Sequence, residues 1–289
     1  MYQVAFEHNP KAFLEKHGDY LKKNEAEHNL ILSLCLTAEE RQARGEEFDI
    51  RFSVLSNDEG VVLLSVQTPP QNIVLSRAAQ PDVDVLAETL AAWDHSFPGI
   101  VGPSDISSAF AEKWQEKTGQ EVAEVMDQII YSLKKVTFPA DVAVGSLRPA
   151  KQGEEAVIAK WMRAFAQEAL PKTEQVGEEA ALQRSANLIK AQRVFVWDVG
   201  GQPRAQAAYS GTAEVGRINM VYTPGEERGK GYASAVVSHL SQQQLDGGKK
   251  MCCLYADARN SVSNSIYRKI GYEFVGRSSL HVLGAKKSG

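Results

Sequence analysis

The chain has 289 residues, 43% hydrophobic and 24% charged, with a formal net charge of −4. That balance describes an ordinary globular protein with material for two cores, and its acidity argues against a nucleic-acid-binding surface. The three cysteines, two of them adjacent at Cys252-Cys253, make no disulfide framework. No Cys-x-x-Cys or His-Glu-x-x-His spacing marks a metal site, and no apolar run reaches the roughly 18 residues of a membrane span.

The stretch from Met1 to Tyr20 mixes Glu7, Lys11, Glu15, Lys16 and Asp19 with its apolar residues, so it lacks a signal-peptide core and a cytoplasmic chain with reduced thiols is expected. Asn9-Pro10 caps a first helix that Gly18 can end. A second helical region starts near Ala26, and Thr37-Ala38-Glu39-Glu40 offers a capping box ahead of a stop at Gly45. The period then changes to that of strands: Phe48 to Leu55, a turn at Asn57-Asp58-Glu59-Gly60, Val61 to Val66, and Asn72 to Leu75 after Pro69-Pro70. Helices follow from Asp82 to Trp93 and from Ser104 to Lys117, with the short segment Gly99-Ile100-Val101 between them. Glu121 to Lys135 reads as one long strand or a bent pair.

Phe138-Pro139-Ala140-Asp141 marks a boundary, dividing the chain into domains at 1–138 and 139–289. In the second half, Val144 to Pro149 reads as a strand, Gly153 to Leu170 as an amphipathic helix ended by Pro171, and Glu174 to Lys190 as another helix. Strands at Arg193 to Val199, Arg204 to Tyr209 and Gly216 to Thr223 come next. Then Pro224-Gly225-Glu226-Glu227-Arg228-Gly229-Lys230-Gly231-Tyr232-Ala233-Ser234 leads into an amphipathic run, Ala235 to Leu245. A strand, a glycine loop and a helix in that order let an anionic group approach unpaired helix-terminal N–H groups closely. Gly229, Lys230, Gly231 and Tyr232 could cradle a phosphate, helped by the charges of Arg228 and Lys230.

Two familiar phosphate loops fit worse. A Walker loop needs four residues between its first glycine and Gly-Lys-Ser/Thr, whereas Gly225 and Gly229 enclose three and Lys230 precedes Gly231. A dinucleotide fingerprint needs glycine or alanine at Ser234 and alternating strands and helices around it.

The loop resembles instead the acetyl-CoA loop of the GNAT N-acetyltransferases, Gln/Arg-x-x-Gly-x-Gly/Ala, at Arg228, Gly231 and Ala233. Downstream, the strand Met251 to Asp257 and the helical segment Asn260 to Tyr272 resemble the family's Asn-x-x-Ala-x-x-Leu-Tyr-x-x-x-Gly-Phe, with departures at Ser263, Ile266 and Tyr272. The resemblance implies a mixed α/β (α+β) fold, a central mixed, mostly antiparallel sheet flanked by helices. The first half repeats the order of elements, which implies two such domains in tandem. There the loop position reads Ser76-Arg77-Ala78-Ala79-Gln80-Pro81-Asp82, without glycine, so the first domain is expected to be degenerate and to serve in packing and in shaping the acceptor cleft.

The resemblance further implies acetyl-CoA as cosubstrate, an amine acceptor and no metal. It places the pantetheine arm along the backbone of Val221, Tyr222 and Thr223, the diphosphate at Arg228, Gly229, Lys230, Gly231, Tyr232, Ala233 and Ser234, and Asn260 beside the pantetheine chain. Tyr267 is the expected proton or hydrogen-bond donor to the departing thiolate. No base advertises itself: Glu214, just before the central strand, is the candidate carried forward, with Glu168 and Glu174 beside the break between two helices as others. Glu168, Glu174, Glu178 and Glu179 would give that region, which borders the family's acceptor site, an acidic rim, although a helix dipole also favours glutamates in its first turn. His239 reads as a packing or surface residue, and Lys286-Lys287 as a solvated tail. A non-catalytic acyl-CoA sensor and a nucleotide-binding protein stay open beside an acetyltransferase. The acceptor and the oligomeric state are not legible.

Overall fold

A computed structural model describes residues 1–78, 83–140 and 143–285. The expectations for Ala79-Gln80-Pro81-Asp82, Asp141 and Lys286-Lys287 lie outside the described residues. The chain divides into two compact units, Met1–Ile129 with Gly276–Gly289, and Ile130–Val275.

The first unit holds β1 (Gln3–Glu7), α1 (Pro10–Lys22), α2 (Glu25–Ala43), β2 (Arg51–Asn57), β3 (Gly60–Gln67), β4 (Ile73–Leu75), α3 (Asp84–Ala92), β5 (Gly99–Pro103), α4 (Ser104–Thr118) and most of β6 (Val122–Leu133). β1 to β4 pair antiparallel in sequence, and β4 then pairs parallel with β5. Successive residues of β2 point to opposite faces. Val54 packs with Phe13, Leu21, Ile31 and Cys35 of α1 and α2, and Leu55 with Leu86, Leu90, Phe110 and Trp114 of α3 and α4.

The same order recurs in the second unit: β7 (Ser146–Pro149), α5 (Glu155–Ala169), a 3-10 turn at Lys172–Glu174, α6 (Glu178–Lys190), β8 (Val194–Val199), β9 (Gln202–Gly211), β10 (Val215–Tyr222), α7 (Tyr232–Asp246), β11 (Met251–Asp257), α8 (Ser261–Ile270) and the first three residues of β12 (Glu273–Leu283). β7 to β10 are antiparallel and β10 pairs parallel with β11. On one face, Ile158, Trp161 and Met162 of α5 pack on Val194, Val196 and Ala208. Val236, Val237 and Leu240 of α7 are fully buried. Among the described residues no helix is long and apolar enough to cross a membrane.

Four expectations are corrected. Thr37 does not open a helix: α2 runs through it, and its hydroxyl bonds back to the Ser33 carbonyl at 2.8 Å, as a mid-helix threonine does. The helix expected from Glu174 begins at Glu178, because Gly177 at φ −66, ψ 170 is extended and separates it from the 3-10 turn. β1 and β12 were not foreseen. The unit division falls at 129/130 rather than at 138/139, and it returns most of β12, from Gly276 on, to the first unit, where Ser278 to Val282 pair antiparallel with β5.

Candidate active site

β10 carries the site. Its parallel pairing with β11 covers Val215, Gly216 and Arg217, opposite Met251, Cys252 and Cys253, and no register continues beyond Arg217 among the described residues. The two strands therefore part toward their C-terminal ends, leaving the β11-facing backbone edge of Ile218 to Tyr222 without a strand partner. On the β9 side a bulge falls between Asn219 and Tyr222, with Met220 at φ 48. A bulge bends and re-aims the strand that carries it.

The chain then turns through Gly225–Glu227 into the glycine loop. Gly229 at φ 78 and Gly231 at φ 80 occupy the left-handed region that only glycine adopts without strain. Gly231 is also the N-cap of α7. The first backbone bond after the Arg228 N–H is Ala235 N–H to the Gly231 carbonyl, at 3.0 Å. The N–H groups of Gly229, Lys230, Gly231, Tyr232, Ala233 and Ser234 thus have no protein acceptor among the described residues. The loop is exposed from Arg228 to Gly231. Donors at a helix N-terminus beside an open loop make a site for an anionic, phosphate-like group. The Thr223 Oγ1, buried just before the loop, also has no hydrogen-bond partner among the described residues.

The loop's two cations are spent differently from the expectation. Lys230 Nζ lies 2.7 Å from Glu227 Oε2, and Glu227 Oε1 accepts from Arg204 at 2.7 Å. Arg228 donates from Nε to the Thr223 carbonyl at 2.9 Å and from Nη2 to Glu168 Oε2 at 2.6 Å, with its guanidinium 5.7 Å from the centre of the Tyr222 ring. The hydrogen bond to Glu168 raises the Arg228 pKa, and burial together with the Glu168 charge raises that of the Tyr222 hydroxyl. Both cations thus serve carboxylates, and the open capacity for an anion is that of the backbone.

α8 follows β11, so it starts from the same C-terminal strand ends as the loop. Asn260 caps it, its Oδ1 accepting from the Ser263 N–H at 3.0 Å, so the side chain has a structural task of its own. Tyr267 is 8% exposed and sits between the rings of Tyr131, at 6.3 Å, and Tyr272, at 6.1 Å. Burial pushes its hydroxyl up to about 12. It is a hydrogen-bond donor across the physiological range and not an ionising acid.

Glu214 is corrected. It precedes β10, and its carboxylate pairs with Lys250 at 2.7 Å just before β11, at the opposite strand ends from the loop. The eight residues of β10 separate the two by about 26 Å. Of the carboxylates beside the helix break, Glu168 is brought to the loop, while Glu174 lies in the 3-10 turn and Glu178 holds Arg163 at 3.1 Å. His239 is a packing residue, its ring 4.9 Å from that of Trp197.

Residues 199–280 match the model of the FR47-like protein family. In a comparison with curated proteins nothing matches. Among solved structures, a GNAT-family acetyltransferase from Colwellia psychrerythraea is 11% identical, covering 98% of this chain and 100% of that one, at a TM-score of 0.56. A Drosophila protein is 12% identical over 99% of both chains at 0.70, and a tandem GNAT protein from the clavulanic acid biosynthesis pathway is 12% identical over 99% of both at 0.55.

Proposed function

We propose that this chain, which has the tandem GNAT acetyltransferase fold with an FR47-like segment in its second half, transfers an acetyl group from acetyl-CoA to a primary amine within a ternary complex. The observation that carries the reading is the row of unpartnered N–H donors from Gly229 to Ser234, set at the end of a strand that has parted from its parallel neighbour. Acetyl-CoA supplies an activated acetyl carbon and a thiol leaving group. The loop N–H groups hold its diphosphate, and the free edge of Val221, Tyr222 and Thr223 holds the pantetheine arm as a strand would. A β10 N–H near Val221 polarises the thioester carbonyl. Tyr267 donates a hydrogen bond to the departing sulfur, and Asn260 flanks the arm. With Glu214 at the far strand end, Glu168 takes its place as acceptor of the amine's proton, directly or through water. Proximity of the bound partners supplies much of the rate.

Free-thiol release from acetyl-CoA against a broad amine panel tests the reading, alongside thermal shifts with CoA, ATP and NAD. Expected are amine-dependent thiol release and stabilisation by CoA above the other two, about 2.7 kcal/mol at a hundredfold excess over Kd. Stabilisation by CoA without transfer to any amine would favour the acyl-CoA sensor. Preferential stabilisation by ATP or NAD would overturn both.

A further inference from the structure

Gln206 of β9 is a long polar side chain that is fully buried. It stands opposite Val196 on β8 and Tyr222 on β10. Val196 and Ala208 pack with Ile158, Trp161 and Met162, and Gln206 is two residues along β9 from Ala208, so it lies on the face under α5. Its Oε1 is buried and has no hydrogen-bond partner among the described residues. A buried amide oxygen left without a donor costs free energy, and a leucine or methionine would fill the same place without that cost. Packing therefore does not account for an amide at this position.

The amide nitrogen does have a partner. Gln206 Nε2 donates to the Met220 carbonyl at 3.4 Å, a long contact that sets a direction more than it adds strength. Met220 is the irregular residue of β10. From Asn219 to Tyr222 the strand takes three steps where β9, from Ala208 to Gln206, takes two. Met220 sits in that stretch at φ 48, a left-handed conformation that a non-glycine residue rarely adopts. Strict alternation would put its side chain on the face away from Asn219 and α5, yet it packs, with Tyr222, against the cluster under α5. The bulge is thus held at two points outside the strand ladder, the Met220 side chain in that cluster and the Met220 carbonyl on Gln206.

The direction of that carbonyl has a consequence on the other side of the strand. A trans peptide is planar, its C=O and its N–H pointing opposite ways. With the Met220 C=O drawn toward Gln206, on the β9 side, the Val221 N–H is turned away from β9, toward the edge of β10 from which β11 has parted. A carbonyl that accepts a hydrogen bond also makes the N–H of its own peptide a stronger donor.

We propose that Gln206 is a positioning residue: through the Met220–Val221 peptide it aims the Val221 N–H at the thioester carbonyl of the acyl donor. It touches neither substrate itself. This rests on the acetyl-transfer reading above, and it gives the strained bulge and the buried amide one shared task.

The test uses the full chain with Gln206→Leu and Gln206→Glu. In Gln206→Leu, kcat falls about tenfold or more, while the Kd for CoA stays within about twofold. The melting temperature does not fall, because the unpaired buried oxygen leaves with the amide. Infrared spectra of bound acetyl-CoA, isotope-labelled at the thioester carbonyl and taken without amine, show that band at lower frequency than in water for the wild type, and the shift shrinks in Gln206→Leu. In Gln206→Glu a carboxylate cannot donate to the Met220 carbonyl but the protonated acid can, and burial raises its pKa, so kcat relative to wild type rises as pH is lowered. A Gln206→Leu variant with wild-type kcat and an unchanged band, or with parallel losses of kcat, CoA affinity and melting temperature, overturns the proposal while leaving acetyl transfer standing. A Gln206→Glu ratio that is flat with pH does the same. Binding of acetyl-CoA by the wild type with no thiol release to any amine removes the transfer reading and this one with it.

Discussion

Arg228 Nη2 donates to Glu168 Oε2 at 2.6 Å, and the same side chain accepts from the Tyr222 hydroxyl at 3.3 Å through its other oxygen. The first residue of the acetyl-CoA loop pattern is thereby tied to the end of α5. Both partners are half exposed, and a pair so exposed is worth about 0–1 kcal/mol, little enough for a diphosphate to displace. On the proposed function, Glu168 would compete with the cosubstrate for Arg228 and, once released, would be free to meet the amine.

Glu168→Gln separates the two roles. Removing the competitor should tighten CoA binding by about two- to fivefold at low ionic strength, the gain shrinking as salt screens the charges. The same change should lower kcat, because the amide accepts no proton. Titration calorimetry with CoA at two salt concentrations, together with steady-state rates, reads both. An unchanged Kd at low salt would mean that Arg228 stays where it is when the ligand binds.

Gly231→Ala tests the backbone cradle. Space is not the obstacle, since an added Cβ would meet the Ala143 Cβ at an ordinary 3.6 Å. Conformation is: at φ 80 an alanine costs about 1–2 kcal/mol, and relieving that strain rotates the N–H groups of the helix start. CoA affinity should fall about tenfold, with a loss of stability no larger than the strain. Wild-type affinity in this variant, measured by the same calorimetry, would remove the donors from the site.

Tyr267→Phe should lower kcat by roughly a hundredfold, as loss of one hydrogen-bond donor to developing negative charge does, with the KM for acetyl-CoA within about twofold. Because burial holds the hydroxyl near 12, the wild-type kcat–pH profile should show no falling limb from this group through pH 10. The Tyr131 hydroxyl is committed to Asn264 Oδ1 at 3.0 Å, so Tyr131→Phe is a control that costs stability instead. Equal losses of kcat and CoA affinity in Tyr267→Phe would assign it a packing role.

Much of this site was legible because it rests on local rules. Gly229 and Gly231 announce positive φ, and the order of strand, loop and helix announces a donor row. What depends on register was not legible. That Arg217 shares a face with Tyr222 follows only from the bulge after Asn219. Glu214 was misassigned although its place before an eight-residue strand already separated it from the loop behind that strand. β12 escaped because Gly276-Arg277-Ser278-Ser279 has little strand propensity. Its serines are satisfied by partners distant in sequence, Ser278 by the Gly102 carbonyl at 2.9 Å and Ser279 by Asp127 at 2.7 Å.

The last prediction concerns stability at the start of the second unit. Arg148 forks onto Glu154 at 2.7 and 2.9 Å and reaches Asp198 at 2.7 Å, joining β7, the start of α5 and β8. The Arg148 hydrogen bond depresses the Glu154 pKa against the effect of burial, and at Asp198 burial pushes upward but is outweighed by bonds from Arg148 and the Gly201 N–H. A carboxylate whose folded pKa is depressed stabilises above its unfolded value, near 4, and that contribution is lost as pH falls through the folded value. Arg148→Met should therefore cost about 1–3 kcal/mol at pH 7, solvent screening keeping it below a fully buried pair. Between pH 5 and pH 2 the gap to wild type should close, as protonation removes from the wild type what the substitution has already removed from the variant. Urea unfolding at pH 7, 5 and 3 measures it, and a gap that stays constant across that range would show that Arg148 contributes through packing of its stem and not through its charge.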